Sequence, residues 1–153
     1  MTAQVVPVHF SVNISQTLGP DALPGWADYI RGWLNDGSGN SPERYFGRDS
    51  PNSLNGTPTF ANHVHVIPED DVKAEAWLAQ DRAFKRVSDD LVIYSLDRAK
   101  PYLYGILLID FLADPTGHKV AFNKGASGQQ RREAWETIAW NHQRGVFTPA
   151  YTF

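Results

Sequence analysis

Two histidines, His63 and His65, lie two residues apart in the segment TFANHVHVIPEDD. This segment alternates between apolar and polar residues as a β-strand does, so both rings lie on one face and can reach the same ligand or reacting atom. A zinc site needs at least one more protein ligand, and neither His118 nor Glu69, which the fold would have to recruit, stands at a fixed spacing. Three interpretations stay open: a metal pair, an acid–base pair that titrates near working pH, and partly buried strand histidines with satisfied nitrogens.

Tyr45, Arg48 and Asp49 belong to the motif YFGRD. The motif lies in SPERYFGRDSPNSLNGTP, which predicts a loop because Pro, Gly, Asn and Ser are dense there. The planar guanidinium of Arg48 can bind a phosphate or a carboxylate. The alternative is that Arg48 fastens the loop to the sheet through Asp49 or a backbone carbonyl.

A third group lies in DPTGHKVAFNK, where His118 is followed by Lys119 and Lys124. A titratable ring therefore stands beside cations that can bind an anion. The following NKGASGQQ is rich in glycine but lacks the GK[ST] ending of a P-loop, so it does not predict a phosphate cradle.

The charge of the chain is uneven. Residues 41–114 hold eight basic and twelve acidic side chains, whereas residues 115–153 hold five basic and two acidic ones, among them Arg131 and Arg132. The basic excess is able to meet phosphates if it forms a continuous surface, and otherwise it is a solvated helix face.

The composition predicts one domain over residues 1–153, because 153 residues support one core of ordinary size. The hydrophobic fraction is 42% and cysteine is absent, which excludes disulfides and cysteine nucleophiles. No signal peptide is recognisable, and the longest apolar run, YLYGILLIDFLA, is broken by Asp110 and too short to span a membrane. We expect a cytoplasmic protein without a membrane partner, with a flexible C-terminal tail at 145–153.

Periodicity predicts the elements that must position these groups. VVPVHFSVNI and FANHVHVI are typical of strands, with Pro7 at an edge or a strand start. Trp26, Tyr29, Ile30 and Trp33 mark an amphipathic helix that begins near Pro24, and DDVKAEAWLAQDRAF predicts another.

DDLVIYSLD and YLYGILLIDFL predict two strands joined by RAKP as an antiparallel hairpin. Asp114 or Thr116 is a suitable cap for a short helix that carries His118. The spacing of Trp135, Ile138, Ala139 and His142 predicts a last helix. Without regular βαβ alternation, the order favours an α+β fold with a mainly antiparallel sheet packed by helices.

Taken together, the motifs YFGRD, NHVHV, SDDLVIYSLD and YLYGILLIDFLADPTGHKVA resemble, in order and spacing, those of YafO-type toxins of type II toxin–antitoxin modules. The resemblance spans roughly Val8 to Arg144. It implies a small RelE-like fold, cleavage of mRNA on the ribosome, inhibition of translation, and silencing by a cognate antitoxin protein. It implies no cofactor and no metal.

Metal-independent RNA cleavage needs a base for the ribose 2′-OH, a cation for the phosphorane charge and an acid for the leaving oxygen. Within this resemblance the expected catalytic residues are His63, His65, His118, Arg48 and Asp49. The expected RNA-binding residues are Lys119, Lys124, Arg131, Arg132 and Tyr45, the last by stacking on a base.

Three alternatives stay open. The first is a ParE-like toxin that acts on gyrase without nuclease activity. The second is a metal-dependent hydrolase that uses His63, His65 and His118, and the third is a binding module without chemistry. The pI of about 5.9 argues against binding of free RNA more than against action on the ribosome.

Overall fold

The structure, a computed structural model, describes residues 5–35, 44–54, 57–113 and 126–153. The strands are β1 (Val8–Phe10), β2 (Phe46–Leu54), β3 (Thr57–Val66), β4 (Leu91–Leu96), β5 (Ile106–Leu112) and β6 (Tyr151–Thr152). The helices of this part of the chain are α1 (Val12–Leu18), α2 (Leu23–Asn35), α3 (Asp71–Leu78), α4 (Pro101–Tyr104) and α5 (Ala126–Gln143). The predicted short helix with His118 lies outside the described residues.

The strands form one sheet in the order β2-β3-β4-β5-β1-β6. Every neighbouring pair is antiparallel except β1 and β5, which are parallel. The prediction of an α+β fold with a mainly antiparallel sheet is confirmed, and the architecture is consistent with a RelE-like fold.

The first strand is shorter than the segment VVPVHFSVNI that was predicted to form it. It ends at Phe10, and Ser11 caps α1 by accepting a hydrogen bond from the backbone N–H of Ile14 at 3.2 Å. A serine at this position satisfies an N–H group that the first helical turn leaves without a partner, so the chain turns into a helix despite its β-branched residues. Pro7 precedes β1, as the prediction of a strand start requires.

The segment predicted as a loop around YFGRD is instead strand β2. Its pairing with β3 is interrupted by register shifts between Phe46 and Asp49 and between Pro51 and Ser53. An edge strand tolerates proline because one row of its backbone groups is not needed by the sheet. Pairing with β3 therefore overrides a composition that is typical of loops.

The predicted hairpin of β4 and β5 is confirmed as an antiparallel pair, and its connection contains the short helix α4. Gly105 ends α4 with a φ of 67°, and a Cβ at this position would lie 2.2 Å from the carbonyl oxygen of Pro7. Only glycine fits where β5 enters the sheet so close to the chain before β1.

Helices cover both faces of the sheet. One core contains Val64, Val66 and Tyr94 from the strands, packed with Ile30 and Trp33 of α2. The other core lies under α5 and contains Ile93, Leu107, Ile109, Trp135 and Ala139. Because α5 covers this second face, a strand residue that points away from α2 is not thereby exposed to solvent.

The tail at 145–153, expected to be flexible, lies along the sheet. Its β6 pairs with β1, and Val8 and Phe153 exchange two backbone hydrogen bonds of 2.9 Å each. Phe147 packs on His9 with a ring-centroid distance of 4.9 Å. Among the described helices, none has the length and apolar character needed to cross a membrane.

Candidate functional site

His63 and His65 lie on the same face of β3, with ring centroids 5.7 Å apart. Each residue is only 3% exposed. This face does not meet solvent, because α5 packs across it. Alternation along a strand shows which residues share a face, but it does not show whether a helix covers that face.

The ring of His63 connects two polar side chains of β2. Its Nδ1 lies 2.7 Å from Asn52 Oδ1, and its Nε2 lies 3.1 Å from Ser50 Oγ. With the amide oxygen as acceptor, Nδ1 carries the proton, so Nε2 accepts a hydrogen bond from the hydroxyl of Ser50. Ser50 is half-exposed, and His63 is therefore oriented to take a proton from that side.

His65 is bonded to the segment that precedes β4. Its Nδ1 lies 2.7 Å from the carbonyl oxygen of Ser88 and 2.9 Å from the amide nitrogen of Ser88. One ring nitrogen cannot donate and accept at once, so Ser88 satisfies whichever tautomer is present. These contacts satisfy Nδ1, as expected for a structural histidine of a strand.

Arg48 is bonded within the protein. Its Nε donates to the carbonyl oxygen of Phe84 at 2.7 Å, and its guanidinium carbon lies 4.0 Å from the centroid of the Phe84 ring. Its backbone N–H donates to the carbonyl oxygen of Arg86 at 2.9 Å. The contacts match the interpretation in which Arg48 fastens its segment to a backbone carbonyl.

Asp49 lies on the opposite face from His63, in a cluster with Tyr94 and Arg98. The Tyr94 hydroxyl donates to Asp49 Oδ1. Arg98 Nη2 lies 2.5 Å from Asp49 Oδ2 and 2.7 Å from the Tyr94 hydroxyl oxygen. The Asp49 side chain is 17% exposed and that of Arg98 is 47% exposed, so the cluster reaches the surface.

Burial controls the protonation of this cluster. It raises the pKa of Asp49, while the hydrogen bond from Tyr94 and the charge of Arg98 act in the opposite direction. Burial and the neighbouring Asp49 charge raise the pKa of Tyr94 well above its ordinary value. Tyr94 and Arg98 carry no local signal in the sequence, because β2, β4 and the connection that follows β4 must come together before the cluster exists.

Arg131 is held at the start of α5 by a buried carboxylate. Its Nε and Nη2 donate to Asp110 Oδ2 at 3.0 and 2.7 Å, and Trp135 Nε1 donates to the same oxygen at 3.0 Å. Asp110 is 2% exposed, whereas the Arg131 side chain is 42% exposed. The sequence already marked Asp110 as unusual, because it is the one acidic residue in the apolar run of β5. Arg132, its neighbour in α5, is half-buried.

Tyr45 is half-buried against α2. Its ring centroid lies 4.5 Å from that of Tyr29, and its carbonyl oxygen accepts from Ile67 N–H at 2.9 Å. The expected site is therefore divided between the two faces of the sheet. The remaining predicted residues, His118, Lys119 and Lys124, lie outside the described residues.

A metal centre finds no support in this part of the chain. Within residues 5–35, 44–54, 57–113 and 126–153, no group of three or more metal-ligating side chains is close enough to hold an ion. His63 and His65 are instead bonded to Asn52, Ser50 and Ser88.

Comparison with protein families identifies a toxin of a type II toxin–antitoxin system. The family model described as toxin YafO, type II toxin–antitoxin system, matches residues 31–144. The match covers well over half of the chain, and the chain belongs to the YafO toxin family. No curated protein and no solved structure matches it.

Proposed function

We propose that this toxin is a ribosome-dependent endoribonuclease that cleaves mRNA and inhibits translation in the cytoplasm. The observation that carries the proposal is the family match over residues 31–144, which implies a toxin with a cognate antitoxin. The small α+β architecture, consistent with a RelE-like fold, supports the same conclusion.

The cluster around Asp49 offers the chemistry that RNA cleavage needs on the α2 side of the sheet. Arg98, 2.5 Å from Asp49, supplies positive charge for the phosphorane. Burial raises the pKa of Asp49, which is the direction that a proton-donating carboxyl group requires, and the hydrogen bond from Tyr94 and the charge of Arg98 act against it. Asp49 and Arg98 are the described residues that we assign to this reaction first.

His118 is the further proposed proton-transfer group. His63 is a separate candidate for proton transfer, because it lies on the opposite face of the sheet from Asp49, with its Nε2 3.1 Å from the half-exposed Ser50 hydroxyl. Lys119, Lys124, Arg131 and Arg132 are the proposed contacts to the RNA backbone. For His65 and Arg48, the bonds to Ser88 and Phe84 support a role in holding the site together.

The test is induction of the toxin in growing bacteria, followed by mapping of mRNA 5′ ends. We expect new ends inside translated regions, and none in a matched transcript whose start codon has been removed. Intact mRNA together with DNA damage would instead favour a gyrase-directed toxin.

Variants of the cluster assign the chemistry. Asp49→Asn and Arg98→Gln should each reduce cleavage by about 10²-fold or more, the usual effect of losing an acid or a charge-stabilising group. The control is Asp28→Asn, because the Asp28 side chain on α2 is 82% exposed. Cleavage at wild-type level in both cluster variants, with the protein folded, would exclude the cluster from the reaction.

A further inference from the structure

A cavity of about 260 Å³ opens between α2, the start of β2, the end of β3 and β5. Five aromatic residues line it: Trp26, Tyr29, Tyr45, Phe46 and Phe111. The cavity is separate from the Asp49 cluster and from the histidines under α5, and neither the proposed reaction nor the family match assigns it a ligand.

The aromatic rings that line the cavity pack against one another. Tyr29 and Tyr45 have centroids 4.5 Å apart, and Trp26 meets Phe111 edge to face at 6.0 Å. The backbone of Tyr45 is tied to Ile67 by a hydrogen bond of 2.9 Å. A ligand would thus enter a site that is already formed, as is usual for specific binding pockets.

The charged residues that line the cavity favour the binding of a cation. Among the described residues that line it are two carboxylates, Glu69 and Asp90, and no lysine, arginine or histidine. Glu69 is exposed and Asp90 is 7% exposed, so negative charge lies both at the surface and inside. Aromatic faces also attract cations through their quadrupole. A phosphate group would be repelled here.

The size and shape favour an arginine side chain. A volume of about 260 Å³ is below the roughly 300–1,000 Å³ of pockets that hold drug-sized ligands. A guanidinium is planar, stacks on an aromatic face and pairs with a carboxylate through two parallel hydrogen bonds. We propose that this cavity binds an arginine side chain of the cognate antitoxin.

The antitoxin is the partner that fits, because membership in a type II toxin family implies that one binds this chain. Residues 41–114, which contribute Tyr45, Glu69 and Asp90 to the cavity, hold twelve acidic and eight basic side chains. This surplus attracts a basic segment. In this role Tyr45 contacts the antitoxin and not an RNA base. The inference rests on the toxin–antitoxin pairing and is independent of mRNA cleavage.

The first test uses the purified full chain and two small probes, N-acetyl-arginine amide and its neutral isostere N-acetyl-citrulline amide. We expect the arginine probe to shift the NMR signal of the Trp26 indole N–H saturably, and the citrulline probe to leave it unchanged. Glu69→Gln should weaken binding about five-fold or more by removing the charge-assisted pair. Glu75→Gln, at an exposed acid of α3 outside the cavity, is the matched control.

The second test repeats the titration on the purified toxin–antitoxin complex, in which the Trp26 signal should no longer respond. A response that persists in the complex would overturn the antitoxin assignment. Equal shifts from both probes, or shifts from guanosine monophosphate but not from arginine, would overturn the cation site itself. Glu69→Gln should weaken antitoxin binding while mRNA cleavage stays at wild-type level, which separates this proposal from the nuclease.

Discussion

His65 shows at the scale of one residue how burial changes an expected outcome. A solvent-facing ring would be removed with little loss of stability, but this ring is 3% exposed and its Nδ1 is bonded to Ser88. His63 is equally buried, and its two ring nitrogens lie within hydrogen-bond distance of Asn52 and Ser50. Toxicity lost in a histidine variant is therefore evidence for catalysis only if the protein remains folded.

We predict that His65→Ala lowers the free energy of unfolding by about 2 kcal/mol, since it creates a cavity and leaves a polar group of Ser88 without its partner. Val64→Ala on the opposite face should cost a similar roughly 1–3 kcal/mol. Urea unfolding of both variants measures the two costs. A His65→Ala variant that has the urea midpoint of the wild type but is no longer toxic would show that His65 takes part in catalysis.

At the scale of elements, the connection between β4 and β5 depends on one glycine. Gly105 has a φ of 67° and faces the Pro7 carbonyl, where a Cβ would lie 2.2 Å from the oxygen. Gly32 lies inside α2 with nothing within 4 Å of an added Cβ. The same substitution should therefore have opposite effects at the two positions.

We predict that Gly105→Ala destabilises the fold by more than about 1 kcal/mol, whereas Gly32→Ala stabilises it by about 0.5–1 kcal/mol through helix propensity. Thermal melts of both variants are the measurement. A Gly105→Ala protein as stable as the wild type would mean that β5 does not enter the sheet as close to Pro7 as the structure shows.

The C-terminal tail packs on two histidines, so we expect its attachment to the sheet to depend on pH. His9 Nδ1 lies 2.8 Å from Thr152 Oγ1, and Phe147 packs on His142 with centroids 4.7 Å apart. Burial lowers the pKa of both histidines below the ordinary value of 6.5. Below this value the unfolded chain binds more protons than the folded one, so the free energy of unfolding falls as the pH falls through 6.5.

We predict that the urea midpoint drops between about pH 7.5 and 5.5 and that His142→Gln reduces this dependence. The protection of the Phe153 amide, bonded to Val8, against hydrogen exchange should fall at the lower pH once the slower intrinsic exchange rate is corrected for. Asp49 has a raised pKa and so contributes with the opposite sign, at the acidic end. A midpoint equally pH-dependent in wild type and variant would show that His142 is not responsible.

For the whole molecule, the question is which class of chemistry the toxin uses. The described residues contain no group of three or more metal-ligating side chains, and the histidine pair is bonded to polar side chains and backbone. We predict that the protein purified without a histidine tag contains no stoichiometric transition metal. Elemental analysis finding close to one zinc per chain, lost in His63→Ala, would support the hydrolase alternative.

Elements with strong local periodicity are predictable from the sequence. The helix around Trp26 and Trp33, the hairpin of β4 and β5 and the helix around Trp135 are all present in the structure. Their apolar residues repeat with the period of the element that contains them, so neighbouring residues carry the information. The order and spacing of the motifs likewise pointed to the family that the comparison confirms.

The contacts of each candidate residue, in contrast, depend on how the elements pack. β2 is a strand because β3 pairs with it, although its own residues are typical of a loop. His63 and His65 are buried because α5 covers their face, and α5 lies more than sixty residues further along the chain. The Asp49 cluster joins residues from β2, β4 and the connection that follows β4. Contacts between residues so distant in sequence leave no local pattern, because they depend on how the elements pack.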